Sequence, residues 1–118
     1  MRSCDTFDAI YLFRPPVDMR KAVNGLSFIV EGEMDLSLFQ NALFVFSNRR
    51  RDRMKTLYWN GSGFALWQTK LEKSRFIWPA CTKEDTVTLS REQMNWLLRG
   101  FDICSMVPHK PLSYDTVS

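Results

Sequence analysis

Hydrophobic and polar positions change period several times along this chain, and each change marks an element. Ile10-Tyr11-Leu12-Phe13 is a short β-prone run. Arg14-Pro15-Pro16 closes it, since two prolines neither continue a ladder nor enter a helix smoothly. From Met19, the apolar residues Ala22, Val23, Leu26, Ile29 and Val30 recur at helical spacing, with Arg20, Lys21 and Asn24 off the stripe. Asp18 stands where a carboxylate would cap that helix, and Gly32 where one would stop. Gly25, in mid-helix, weakens it by up to about 1 kcal/mol relative to Ala, which points to close packing there.

The middle third reads as a β-meander. Ala42 to Phe46 is an uncharged hydrophobic run, Asn48 to Asp52 a turn, and Met54 to Trp59 a second strand. Asn60-Gly61 is a hairpin signal, because both residues favour positive φ. Phe64 to Leu71 follows as a third strand and Arg75 to Trp78 as a fourth, with Glu72-Lys73-Ser74 turning between them and Pro79 ending the run. Connections this short imply antiparallel neighbours. Thr86 to Leu89 adds a strand, and Ser90 opens a second helix as a capping box with Gln93. Met94, Leu97 and Leu98, joined by Trp96 and Phe101, form its apolar side, and Gly100 terminates it. The predicted fold class is α+β: an antiparallel β-meander of about four to six strands packed with two helices.

A chain of 118 residues falls in the range of one domain. The composition turns polar and proline-rich from Ser105, so the expected organisation is a single domain over 1–104 and a loose tail over 105–118. Nine Phe, four Trp and three Tyr supply bulky area for a core in so short a chain. Every apolar run is broken by charge well short of the roughly 18 residues a membrane span needs. Met1 to Asp8 carries Asp5 and Asp8 and no signal-like stretch, so the expected location is cytoplasmic. Cys4, Cys81 and Cys104 are odd in number and widely spaced, which argues against a disulfide framework and for a reducing compartment. Without a C-x-x-C pair, and with His109 alone in a Pro-flanked tail, no metal or cofactor is predicted.

Charge changes the picture more than composition does. Between Ala42 and Trp78 eight bases face two acids, a local balance of +6 in a chain whose total is +3. The densest stretch is Asn48-Arg49-Arg50-Arg51-Asp52-Arg53-Met54-Lys55. At a hairpin, several guanidinium groups would project from one edge and suit phosphate. The same charges would equally serve as a solvated guard of a sheet edge. Tyr58, Trp59, Phe64, Trp67, Phe76 and Trp78 lie close by, and interleaved aromatic and basic residues can stack bases while neutralising phosphates. Strand alternation sends Tyr58 and Trp59 to opposite faces, however, so at least half of this set belongs to a core. Asp18, Asp52 and Glu72 make a poor metal-dependent nuclease: one reads as a cap, one sits amid arginines, one lies in a turn beside Lys73. Ser-His-Asp or Cys-His catalysis fares worse, with a single histidine, His109, in the expected tail. Gly61-Ser62-Gly63 joins two strands and opens no helix, so it is no phosphate loop. The reading is that of a non-enzyme.

Several segments together are more specific than any one. They are Asp18-Met19-Arg20-Lys21 with Asn24-Gly25-Leu26; Leu43 through Arg50; Arg53-Met54-Lys55-Thr56-Leu57-Tyr58-Trp59-Asn60-Gly61; Leu66 through Pro79; and the Ser90-to-Gly100 helix. In this order and spacing, over Ile10 to Ile103, they resemble the small accessory protein called TnpB of the IS-66 insertion-sequence family, which is distinct from the RNA-guided nucleases sharing that label. Tyr58 and Asn60 stand where relatives often have Trp and Asp. The resemblance implies a bacterial mobile element in which a separate, larger transposase holds the catalytic acids and this protein assists transposition without cutting DNA.

Two expectations follow. In the first, the chain is an accessory DNA-binding module in which Arg49, Arg50, Arg51, Arg53 and Lys55 grip phosphates, helped by Lys70, Lys73 and Arg75, with Arg20 and Lys21 as outliers of the same patch. In the second, it is an adaptor that docks on the element-encoded transposase through exposed aromatics such as Trp59, Trp67 or Trp78. No membrane partner is predicted by either.

Overall fold

The structure, a computed structural model, describes residues 3–106. Its centre is one five-stranded sheet built from β1 (Ala9–Phe13), β2 (Ala42–Ser47), β3 (Arg53–Trp59), β4 (Phe64–Lys70) and β5 (Thr86–Leu89), in the order β4-β3-β2-β1-β5. The two helices are α1 (Val23–Phe28), extended by a π-helical turn over Ile29–Glu33, and α2 (Arg91–Leu98). The class is α+β, as the periodicity predicts. The sheet is mixed, since β2, β3 and β4 form the antiparallel meander but β1 runs parallel to β2, pairing Ala9 with Ala42 and Leu12 with Val45. A parallel pair needs a long crossover, and the segment carrying α1 supplies it.

Strand alternation divides the apolar residues between two cores. Phe13, Ala42, Phe44, Phe46 and Leu57 face α1 and its π turn, packing with Leu26, Ile29, Val30, Met34 and Leu38. Ile10, Leu12, Leu43, Val45, Met54 and Tyr58 face the other way, against Phe76, Trp78 and the Met94 and Leu97 of α2. All six residues of β2 are buried, which is why its sequence is a continuous hydrophobic run. Ser47, the polar one, spends its hydroxyl on the Arg53 carbonyl at 3.0 Å. Ser90 and Gln93 form the predicted capping box, and Gly100, at φ +85°, ends α2.

Five sequence expectations are corrected. Residues 75–78 form no strand. Phe76 donates its N–H to the Arg51 carbonyl, and Trp78 its indole N–H to the Phe13 carbonyl. Both rings fill the second core, where burying each is worth about 1.5–3 kcal/mol, so the segment passes the end of the sheet instead of lengthening it. Asp18 caps no helix. Its carboxylate binds the Arg20 backbone N–H and guanidinium, and α1 begins at Val23 with Ala22 as the capping position. Gly32 stops nothing, because the π turn continues through it to Glu33. In the β3–β4 loop only Gly61 adopts positive φ, while the Asn60 side-chain oxygen accepts from the Ser62 and Gly63 N–H groups. Finally, Cys81 and Cys104 are disulfide-bonded, with Cα atoms 5.7 Å apart, and Cys4 is a buried free thiol. Counting cysteines could not anticipate that the turn after α2 returns Cys104 to the side of Cys81. The close packing inferred at Gly25 is present: a Cβ there would stand 3.1 Å from the Lys21 side chain. Most of the predicted tail, from residue 107 onward, lies outside the described residues.

Candidate nucleic-acid interface

The loop between β2 and β3 is held by its own polar groups. The Asn48 side-chain amide donates to Asp52 Oδ1 at 2.6 Å, while its oxygen accepts from the Arg53 N–H at 3.2 Å. Arg51 adopts φ +60° and donates its N–H back to the Asn48 carbonyl. That left-handed conformation costs a non-glycine residue roughly 1–2 kcal/mol, and the Arg51 side chain offsets it. Its guanidinium bonds the Arg14 carbonyl at 3.0 Å and the Asn48 carbonyl at 3.3 Å, and lies 5.3 Å from the Trp78 ring centroid. Burial pushes the Arg51 pKa down, and the nearby charges of Arg14 and Arg49 add to this. Arg51 therefore fastens the loop to the body, and Arg49 and Arg50 are left exposed at its tip.

The segment that leaves β4 docks onto this loop. Leu71 donates its N–H to the Asp52 carbonyl and Phe76 to the Arg51 carbonyl, both at 2.7 Å. Lys70 ends β4 directly opposite Arg53 on β3. Lys70, Lys73 and Arg75, all exposed, thus join Arg49, Arg50 and the half-buried Arg53 at one end of the sheet. Two of the acids near this end, Asp52 and Asp18, are engaged, and Glu72 is exposed beside Lys73. Asp52 has its pKa lowered by the Asn48 hydrogen bond and, more weakly, by Arg50 and Arg53. The Arg20 guanidinium, 2.7 Å from Asp18, holds that carboxyl at a pKa of about 2. Among the described residues no three of His, Cys, Asp and Glu gather as they would for a metal ion, and no helix is long and apolar enough to cross a membrane.

Lys55 departs from its neighbours. Its face of β3 packs toward α1, and the ammonium bonds the Met19 and Lys21 carbonyls, each at 2.7 Å, with 6% of the residue exposed. It ties the segment before α1 to the sheet and stands apart from the exposed cations. Periodicity held the signal: Lys55 lies opposite the buried Phe46, on the apolar face of its strand. Arg14, which no motif singled out, bonds the Glu84 carbonyl at 2.6 Å and so holds the approach to β5. The tryptophans separate as well. Trp78 is core, Trp59 packs edge-on with Phe39 and Phe64 at centroid distances of 5.0 Å, and Trp67 is 50% exposed on β4.

Comparison with known proteins returns a family model described as "IS66 Orf2 like protein", which matches residues 8–108. The uncharacterized protein y4jC of Sinorhizobium fredii is 35% identical over 101 residues, covering 86% of this chain and 85% of its own length. The uncharacterized protein y4hO of the same organism is 31% identical over 85 residues, covering 72% and 73%. No solved structure matches the chain.

Proposed function

The chain belongs to the IS66 Orf2-like family, the accessory second reading frame of an insertion sequence, and from that premise we propose that it assists transposition in the cytoplasm as a non-catalytic DNA-binding module. The contact surface is the basic end of the sheet: Arg49, Arg50, Arg53, Lys70, Lys73 and Arg75. One observation carries the reading. The docking of residues 71–76 on the arginine loop, through the Asp52 and Arg51 carbonyls, gathers cations that are 17 to 26 positions apart in the sequence. The exposed cations supply charge without a groove or a helix to read base edges, so binding is electrostatic and weakly sequence-selective.

The test is fluorescence anisotropy with a labelled duplex from an element end and a scrambled one, at about 50 and 200 mM salt, where the slope counts phosphate contacts. Arg49→Gln and Arg50→Gln each weaken both duplexes alike and reduce the salt slope by about one. Unchanged affinity in the folded double variant sinks the proposal.

A second reading rests on a separate observation. At the opposite end of the sheet Phe39, 63% exposed, packs against Trp59 and Phe64. Such a cluster is the kind of anchor an adaptor would offer a transposase. Absence of duplex binding at low salt, with capture of the transposase lost in Phe39→Ser, would favour that reading.

A further inference from the structure

The sheet has two edges, and they differ. β5 is four residues long and runs almost directly into α2. β4 is seven residues long, and among the described residues nothing pairs with its outer side. The flanking bonds reveal which backbone groups point outward. Asn60 N–H donates to the Gly63 carbonyl at one end and Leu71 N–H to the Asp52 carbonyl at the other. Alternation along the intervening register then directs Ala65, Trp67 and Thr69 toward β3, and Phe64, Leu66, Gln68 and Lys70 away from it. The usual edge protections are confined to the last residue, Lys70, because Phe64 to Thr69 contains no charge, proline or glycine. Trp67, half exposed, sits at the midpoint.

We propose that this edge pairs antiparallel with the same edge of a second copy, about a two-fold axis at Trp67. In that register Phe64 lies opposite Lys70 of the second copy and Leu66 opposite its Gln68. All four outward-facing residues then enter hydrogen-bonded pairs, whereas a shift of two positions either way strands Phe64 or Lys70. Trp67 meets its own copy in a non-hydrogen-bonded pair, where Cα atoms approach to about 4.5 Å and aromatic cross-strand contacts add stability. Charge selects the same arrangement. The basic end, with Lys70 beside Arg53, lies along the uncharged Phe64 and Gly61-Ser62-Gly63 turn of the other copy. Parallel pairing would set Lys70 against Lys70.

The two-fold also turns the basic ends away from each other. Lys70 lies three residues from the axis, so the two copies of Lys70 stand about 20 Å apart along the strands, with the arginine loops beyond them. On the DNA-binding reading above, which this consequence rests on, one dimer holds two duplexes at opposite ends.

The dimer is tested without DNA, on the full chain. Under mild oxidation Trp67→Cys forms a disulfide-linked dimer and Lys70→Cys does not; the native cysteines are buried or bonded. In sedimentation velocity the wild type shows a concentration-dependent dimer. Gln68→Pro removes an outward N–H while sparing the β3 ladder, and Trp67→Lys sets two ammonium groups face to face. Both variants sediment as folded monomers, with circular dichroism as the check on folding. A wild type that stays monomeric up to about 0.1 mM, the range in which a small interface should associate, overturns the proposal. So does equal cross-linking at positions 67 and 70. Single-duplex binding by a strict monomer refutes only the dimer, and a dimer that binds no duplex refutes only the DNA reading.

Discussion

Replacing Lys55 with Met separates a buried structural cation from the contact residues around it in sequence. Met keeps the stem that packs beside Phe46 and deletes the ammonium that bonds the Met19 and Lys21 carbonyls. Each hydrogen bond from a charged donor contributes about 1.5–3 kcal/mol, and desolvation of the buried ammonium offsets part of that. Lys21 is exposed, so water can replace the ammonium at its carbonyl. The net loss therefore falls near 2 kcal/mol. At roughly 2.1 cal/mol/K of unfolding entropy per residue, that lowers Tm by about 8 °C. Thermal melting by circular dichroism measures it, and the DNA salt slope of Lys55→Met stays that of the wild type. A pH series adds a sign. Burial pushes the Lys55 pKa below its ordinary 10.5, so above the folded pKa the unfolded chain binds more protons than the folded one. The pH-dependent part of this group's contribution, relief of the buried ammonium's desolvation, thus grows as pH rises toward 10.5 and is lost as pH falls through the folded pKa, where the hydrogen-bonded ammonium remains; Lys55→Met lacks that rise. An unchanged Tm together with a salt slope reduced by one would refute the reasoning and return Lys55 to the contact surface.

Other predictions are smaller. Ser90→Ala removes one half of the capping box on α2 and costs about 1 kcal/mol, or about 4 °C in Tm by the same entropy. Carboxyl NMR places the Asp18 midpoint near 2. In Arg20→Ala it moves toward 3.8 but stays below it, since the backbone N–H of residue 20 still binds the carboxylate, and the stability that Asp18 contributes above 3.8 and loses as pH falls toward 2 shrinks accordingly.

Elements whose signals are local were legible in the residues. The uncharged run of β2, the capping box at Ser90, the stop at Gly100 and the turn at Asn48 to Asp52 each depend on neighbours a few positions away. The charge asymmetry was legible too, and it located the candidate surface. What the residues could not reveal was which cations face outward. Arg49 and Arg51 are two positions apart, yet one is exposed and the other spends its guanidinium on the Arg14 carbonyl and the Trp78 ring.

The sequence by itself determined most of the elements (the five strands and the helices around them, though not residues 75–78), the fold class and the basic character of the middle third, because short-range periodicity, capping chemistry and charge need no partner to be read. Only the tertiary structure decided that β1 runs parallel to β2, that residues 75–78 leave the sheet to fill a core, that Cys81 meets Cys104, and that β4 keeps an open edge. Each is a competition between segments far apart in the chain. The winner depends on how much apolar surface the alternative buries, and no local pattern encodes that quantity.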